Sequence, residues 1–276
     1  MLDPQLRIAF IGGGNMAKAI IRGLLKYGHD RQKILVCAPT QATRCAIVDD
    51  FNVRVHPDNT AAVAFADVIV LAVKPSVIAR VCDEINTVMG ALSEQKLVIS
   101  IAAGVKQATL RRQLGKSQRV ICAMPNLPAA VGKGLTGLYA SPDCDALDTK
   151  IADSLMKAVG NTVWLEDESL MPSIVAVAGS SPAYFFLFME AMAKAGVAQG
   201  LSSDTANKAV LQSALGAISM AIASQQNLAD LRRQVTSPKG TTEQGINTFL
   251  QGDLDSLVTQ AMRAVANRAE QLAQEQ

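Results

Sequence analysis

Two short stretches of this chain hold residue types suited to chemistry: "GGGNMA", residues 12–17, and "SPKGTT", residues 237–242. The first spells Gly12-x-Gly14-x-x-Ala17. Gly12 suits a tight turn, Gly14 lets a pyrophosphate approach the backbone, and Ala17 stands where a helix packs closely on a strand. Asn15 and Met16 open that helix, whose free N–H groups and positive end favour phosphate. A lone glycine fingerprint is weak, but here "RIAFI" precedes it and a helical pattern follows, which favours a dinucleotide site. In the second stretch Pro238 and Gly240 make a tight turn, and Thr241 and Thr242 bring hydroxyls to the start of a helix, "TEQGINTFLQG". The N–H groups there suit a substrate carboxylate. The plainer reading, that the threonines cap the helix, stands level with it on spacing alone.

The elements that must hold these residues fall into two groups. Over residues 1–165, β-branched runs ("RIAFI", "KILVC", "DVIVLAV", "LVISI", "RVICA") alternate with helical patterns, and further strands are expected near Leu135–Ala140 and Thr162–Leu165. Near-continuous apolar strands separated by helices predict a sheet buried on both faces. The fold class is therefore α/β, a Rossmann-type doubly wound parallel sheet. Residues 166–276 read as an all-α domain, and "AYFFLFMEAMAKAGVAQG" and "DTANKAVLQSALGAISMAIAS" are apolar around much of their circumference. Such helices need burial, and a second copy of the chain supplies it. A homodimer through the helical domain is expected.

The strand ends refine the cofactor. An NAD site normally carries an acid about 20 residues beyond the fingerprint. This chain has none from Lys33 to Ile47, and offers Thr40 and Arg44 instead. That pattern favours NADPH with NADH still allowed, although Thr40 also reads as a helix cap and Arg44 as a solvated side chain. Lys74 and Pro75 close the fourth strand, and "SIAAG" and "AMPNLPA" close the fifth and sixth, the edge where open α/β sheets bind ligands. The two histidines, His29 and His56, lie in turns and read as surface residues. Without a histidine to move a hydroxyl proton, reduction of a carbon–nitrogen double bond fits better than alcohol oxidation, because an iminium accepts hydride without a strong acid.

Composition closes other avenues. With 26 basic and 24 acidic residues the net charge is +2, which predicts neither nucleic-acid nor anionic-membrane partners. The basic run Arg111, Arg112, Lys116 and Arg119 reads as a solvated helix end. Five scattered cysteines without a C-x-x-C pair predict no disulfide framework, no metal site and a cytoplasmic setting. Gly179, Ser180, Ser181 and Pro182 interrupt the best candidate for a membrane span.

Several stretches in order resemble the pyrroline-5-carboxylate reductases: "IGGGNMAKAIIRGL", "AVKPSVI", "SIAAGV", "AMPNLPAAVGKG", "AGSSPAYFFLFMEAMAKAGV" and "VTSPKGTT". The resemblance implies NAD(P)H-dependent reduction of L-1-pyrroline-5-carboxylate to L-proline, with interlocked dimers that in the family often assemble five at a time into a decamer. It implies that Gly12, Gly14, Asn15 and Met16 bind the pyrophosphate and Asn59 meets the adenosine side. Ala72, Lys74, Pro75, Ala102, Ala103, Met124, Pro125 and Asn126 would flank the nicotinamide. Gly240, Thr241 and Thr242 would hold the substrate carboxylate through backbone N–H groups, with the Thr242 hydroxyl near the ring nitrogen. Two positions depart from the family: Lys239 replaces the first glycine of Gly-Gly, and Leu127 replaces the threonine of Met-Pro-Asn-Thr-Pro. If the lost glycine needs positive φ, lysine costs about 1 kcal/mol or more. Alternatively, Lys239 adds a cation near the carboxylate. Other readings are a reductase of another cyclic imine and a nonenzymatic nucleotide-binding regulator.

Overall fold

The structure is a computed structural model that describes residues 2–90, 95–115 and 118–275. Eight strands form one sheet: β1 (Ile8–Ile11), β2 (Ile34–Cys37), β3 (Arg54–His56), β4 (Val68–Leu71), β5 (Leu97–Ser100), β6 (Val120–Pro125), β7 (Gly134–Ala140) and β8 (Gly160–Trp164). Their order is 3-2-1-4-5-6-7-8. The first six are parallel, β7 runs antiparallel to β6, and β8 runs parallel to β7. Between them lie α1 (Asn15–Lys26), α2 (Gln41–Phe51), α3 (Thr60–Phe65), α4 (Ile78–Met89), α5 (Gln107–Leu114) and α6 (Ala146–Lys157).

Successive residues of a strand point to opposite faces, and both faces here are apolar. Ile8, Phe10, Val36, Val68, Val70 and Ile99 join one buried cluster with Ile20, Ile21 and Leu24 of α1, Ile47 of α2 and Leu155 of α6. Ala9, Ile11, Leu35, Ile69, Leu71 and Val98 join a second with Val63 of α3, Val81 and Ile85 of α4 and Leu110 of α5. The sheet is thus covered on both sides, as the uninterrupted apolar strands predict.

The chain divides into two compact units, residues 1–179 with 265–276, and residues 180–264. These packing units differ from a division after Leu165 in two places. Beyond β8 the chain turns through α7 (Met171–Ile174) and a five-residue π turn, Val175–Gly179, and stays on the sheet unit. Ile174 lies so close to Gly137 that a Cβ there would sit 2.7 Å from its Cγ2. Residues 265–276 also pack on this unit, where Leu272 Cβ lies 3.6 Å from the Cβ position of Gly104.

The second unit is helical: α8 (Ser181–Ala198), α9 (Ser203–Ala223), α10 (Leu228–Gln234), α11 (Thr241–Gln251) and the first half of α12 (Leu254–Gln274). No residue of α8 is buried within the chain, and α9 buries only Ala206 and Val210. Leu187 is 67% exposed and Ile222 81%, so apolar faces are left without partners inside one copy. By length and composition the helical run Glu168–Ala198 suffices to cross a bilayer, at a mean hydropathy of 1.4. It is interrupted at Ser180, where α8 begins afresh with a proline in its first turn.

Several single residues differ from their sequence reading. His29, expected at the surface, is 7% exposed, whereas His56 is exposed. Within the basic run, Arg111 and Arg112 do close the last turn of α5, and Arg119 pairs with the buried Asp148 at 2.9 Å. Lys116 lies outside the described residues.

Candidate active site

The glycine turn sits directly after β1. Gly12 has φ +106, and a Cβ there would lie 2.4 Å from the Ala72 carbonyl oxygen, so no other residue fits. Gly14 differs: nothing lies within 4 Å of its Cβ position. No protein atom demands glycine at 14, and the open space suits a group arriving from outside. Gly14 caps α1 without a side-chain hydrogen bond, and no acid occupies the first turn. The first N–H groups of α1 therefore face that space unneutralised, as a pyrophosphate needs. Asn15 is exposed there, while Met16 packs partly on the core.

At the end of β2, Thr40 caps α2: its Oγ1 accepts from the Thr43 N–H at 3.3 Å and lies 2.8 Å from the Thr43 hydroxyl. Arg44 Nη1 donates to the Ala38 and Pro39 carbonyls at 2.7 and 2.8 Å. The guanidinium is thereby pinned beside the strand end rather than loose in solvent. The carboxylate following β3, Asp58, is engaged with Thr60, accepting from its N–H at 2.8 Å and its hydroxyl at 2.7 Å. These bonds hold its carboxyl below the usual range. Asn59 donates from Nδ2 to Glu84 Oε2 at 2.7 Å, so its side chain serves the protein.

Beyond β4, the Ala72 N–H donates to the Ile11 carbonyl at 2.8 Å, which locks this segment to the glycine turn. Lys74 is exposed, and Pro75 opens a short 3-10 turn. Past β5 and β6 lies a cavity of about 410 Å³ lined by Ser100, Ala102, Cys122 and Met124, with Lys106, Glu168 and Val175. Glu270 and Gln274 of α12 complete its wall. Of the residues expected on the nicotinamide side, Ala102 and Met124 are brought together here. Ala103 is exposed and Pro125 is buried, and neither lines the cavity. Asn126 is buried and committed at both ends: Nδ2 donates to the Ala178 carbonyl at 2.9 Å, and Oδ1 accepts from the Leu135 N–H at 2.9 Å. Leu127 projects outward at 65% exposure, so its departure from the family leaves packing untouched.

Sequence reasoning missed Glu168, Glu270 and Gln274, which are distant in the chain from every motif. Glu168 Oε1 accepts from the Gln107 N–H at 2.6 Å and lies 3.9 Å from Cys122 Sγ. Burial first, and then the Glu168 charge, push the Cys122 thiol up, so it stays protonated. Among the described residues, no three His, Cys, Asp or Glu side chains are placed to hold a metal ion.

In the helical unit, the "SPKGTT" turn leads into α11. The capping alternative for the threonines does not hold, because Gly240 is the N-cap and no side chain caps the helix. Lys239 has φ +59, so this position does require the left-handed region. Its N–H donates to Glu243 Oε2 at 2.8 Å. The Gly240 N–H, expected among the carboxylate donors, instead closes the turn onto the Ser237 carbonyl at 2.9 Å. That leaves the first helical amides, of Thr241 and Thr242, facing outward with both threonines exposed.

A family model described as pyrroline-5-carboxylate reductase dimerisation matches residues 168–272, and one described as NADP oxidoreductase, coenzyme F420-dependent, matches residues 7–104. The class is thus an NAD(P)-dependent oxidoreductase that pairs a mostly parallel sheet domain with a helical dimerisation domain. The pyrroline-5-carboxylate reductase of Pseudomonas aeruginosa is 44% identical over 98% of this chain and 97% of its own, and that of Escherichia coli 34% over 98% and 99%. The pyrroline-5-carboxylate reductase structure from Coxiella burnetii matches at a TM-score of 0.93 and 40% identity, over 98% of this chain and 99% of that one. The Plasmodium falciparum enzyme, solved with NADP bound, matches at 0.85 and 25% identity over the same shares. The chain belongs to the pyrroline-5-carboxylate reductase family, and it forms a homodimer through its helical region.

Proposed function

We propose that NADPH is the preferred reductant, and that the start of α11 holds the substrate, as this chain reduces L-1-pyrroline-5-carboxylate to L-proline, the final step of proline biosynthesis. The single observation that carries the assignment of the substrate site is the uncapped N-terminus of α11 with two adjacent hydroxyls. The Thr241 and Thr242 amides donate to the substrate carboxylate, aided by the positive end of the helix. Gly240 acts by shaping the turn. The Thr242 hydroxyl accepts a hydrogen bond from the iminium N–H, holding the ring nitrogen as its double bond to carbon becomes single.

On the sheet unit, Gly12, Gly14 and the first turn of α1 bind the pyrophosphate. Ala72, Lys74, Pro75, Ala102 and Met124 border the nicotinamide, while Asn59 and Asn126 hold the segments around it. Bound NADPH supplies the hydride that reaches the imine carbon. The pinned Arg44 guanidinium, in a stretch with no acid from Lys33 to Ile47, favours a 2′-phosphate. The five unpaired cysteines, three of them buried, support a reducing, cytoplasmic compartment. Five homodimers assemble into a decamer, which light scattering of the purified protein distinguishes from the dimer.

The test follows NADPH absorbance with pyrroline-5-carboxylate and measures proline formed. Thr242→Ala is expected to lower kcat/KM for the imine roughly tenfold or more, the loss of a hydrogen bond to a charged group, with NADPH affinity unchanged. Wild-type kinetics in that variant would remove Thr242 from the site. Arg44→Ala is expected to erase most of the preference for NADPH over NADH, on the order of tenfold. An unchanged ratio would assign Arg44 to strand-end packing alone.

A further inference from the structure

One wall of the cavity beside Ala102 and Met124 is the loop from β5 to α5, with Ser100, Ala102, Gly104, Val105 and Lys106 lining it. The start of that loop is fixed at the strand edge. The Ile101 N–H donates to the Leu71 carbonyl at 3.0 Å, and the Ala102 N–H reaches Ser100 Oγ at 3.4 Å. Further on, the backbone does little to hold itself: among the described residues, Ala103, Gly104 and Val105 make no hydrogen bond. The buried Val105 side chain anchors the middle of the loop in the second apolar cluster.

The far end of the loop depends on a residue from elsewhere. α5 starts at Gln107, its N-cap Lys106 supplies no side-chain bond, and no acid occupies its first turn. A helix start leaves N–H groups without intrahelical partners, and an acceptor there binds more strongly when it is charged. Glu168 supplies that acceptor from 61 residues away: its Oε1 takes the Gln107 N–H at 2.6 Å. The same oxygen lies 3.9 Å from Cys122 Sγ on β6. Burial keeps that thiol protonated, so it meets the carboxylate as a weak donor rather than as a second anion. Met171, Pro172 and Val175, which follow Glu168, line the same cavity. One carboxylate therefore joins three of its walls: the start of α5, the strand β6 and the segment after β8.

We infer that Glu168 is a positioning residue for hydride transfer: by capping α5 from outside, it sets the β5–α5 loop so that Ala102 meets the nicotinamide. The inference rests on the nicotinamide lying beside Ala102 and Met124, as proposed above. Small misplacements of reacting groups lower rates steeply. NADPH is also held by the pyrophosphate turn and the Arg44 end of its site, so a displaced loop lowers turnover more than cofactor affinity. A cap that served the fold alone would lower stability and leave turnover intact.

Three variants of the full dimer test it. Glu168→Ala removes the acceptor, Glu168→Gln keeps an oxygen at the same reach, and Gln107→Pro removes the donor. Proline suits the first residue of a helix, and Lys106 before it is already extended at ψ 145. With NADPH and pyrroline-5-carboxylate, Glu168→Ala and Gln107→Pro are each expected to lose about tenfold in kcat, with KM for NADPH within about threefold of wild type. Glu168→Gln is expected to recover most of that loss. The double variant is expected to be no slower than either single one, because both remove the same bond. Without cofactor, amide exchange at Thr109 and Leu110, whose N–H groups bond the Lys106 carbonyl, is expected to speed up about tenfold in Glu168→Ala and to stay near wild type in Glu168→Gln. The proposal is overturned if kcat in Glu168→Ala and Gln107→Pro equals wild type, if the double variant multiplies the two losses, or if exchange at Thr109 and Leu110 is unchanged. A wild-type protein that leaves the imine unreduced would sink the substrate reading instead, and the exchange rates would still decide whether Glu168 orders the start of α5.

Discussion

Lysine is a poor tenant for a left-handed backbone, and Lys239 holds φ +59 at the turn that feeds α11. Asn52 and Asp253 share that region, but their short polar side chains tolerate it, whereas lysine forfeits about 1–2 kcal/mol. Lys239→Gly is therefore expected to raise stability by about 1 kcal/mol in denaturant titration. If the ammonium also assists the carboxylate, the same variant raises KM at low salt with kcat held, and added salt closes the gap. A KM equal to wild type at every salt concentration would show that the lysine contributes nothing to binding. The strain was legible in the sequence through resemblance, since a family glycine marks a backbone demand. The engagement of the Gly240 amide was not, because a bond from residue 240 to 237 follows from turn geometry that composition leaves open.

Strands were the most readable part of the chain. Four-residue apolar runs such as "IAFI" and "ILVC" have no polar face, so only a sheet covered on both sides accommodates them, and β1 and β2 are buried at every position. Residues 168–179 were not readable: helical pieces of three to five residues carry too little periodicity to be recognised. Asn126 fastens that stretch, joining the π turn at Ala178 to the start of β7 at Leu135. Family resemblance marked Asn126 for the cofactor, but its visible work is to tie these elements together. Asn126→Ala strands one buried carbonyl and one N–H, and is expected to destabilise by about 2–4 kcal/mol in thermal or denaturant unfolding. A loss below about 0.5 kcal/mol would show that neither bond matters.

The dimer was legible in outline because two apolar helices in one short domain have too few neighbours to cover them. The structure sharpens this, with Phe186 60% and Leu187 67% exposed on α8 and Leu211 60% on α9. Leu187→Glu combined with Leu211→Glu is expected to shift the mass at micromolar concentration from dimer toward monomer and to make the melting temperature depend on protein concentration. An unaltered dimer would place the subunit contact elsewhere. The return of the chain's end to the sheet unit was not legible for another reason: α12 is one uninterrupted amphipathic helix, and nothing in its composition signals that its second half packs with a different unit from its first.

That return of residues 265–276 makes the helical unit an insertion within the sheet unit. During synthesis on the ribosome, six parallel-paired strands and their flanking helices emerge first, yet the wall that Glu270 and Gln274 give the cavity beside Ala102 and Met124 arrives only after residues 180–264 have been made. Order of translation thus sets the order of assembly: the wall of this cavity cannot be completed until the segments that pair two copies already exist.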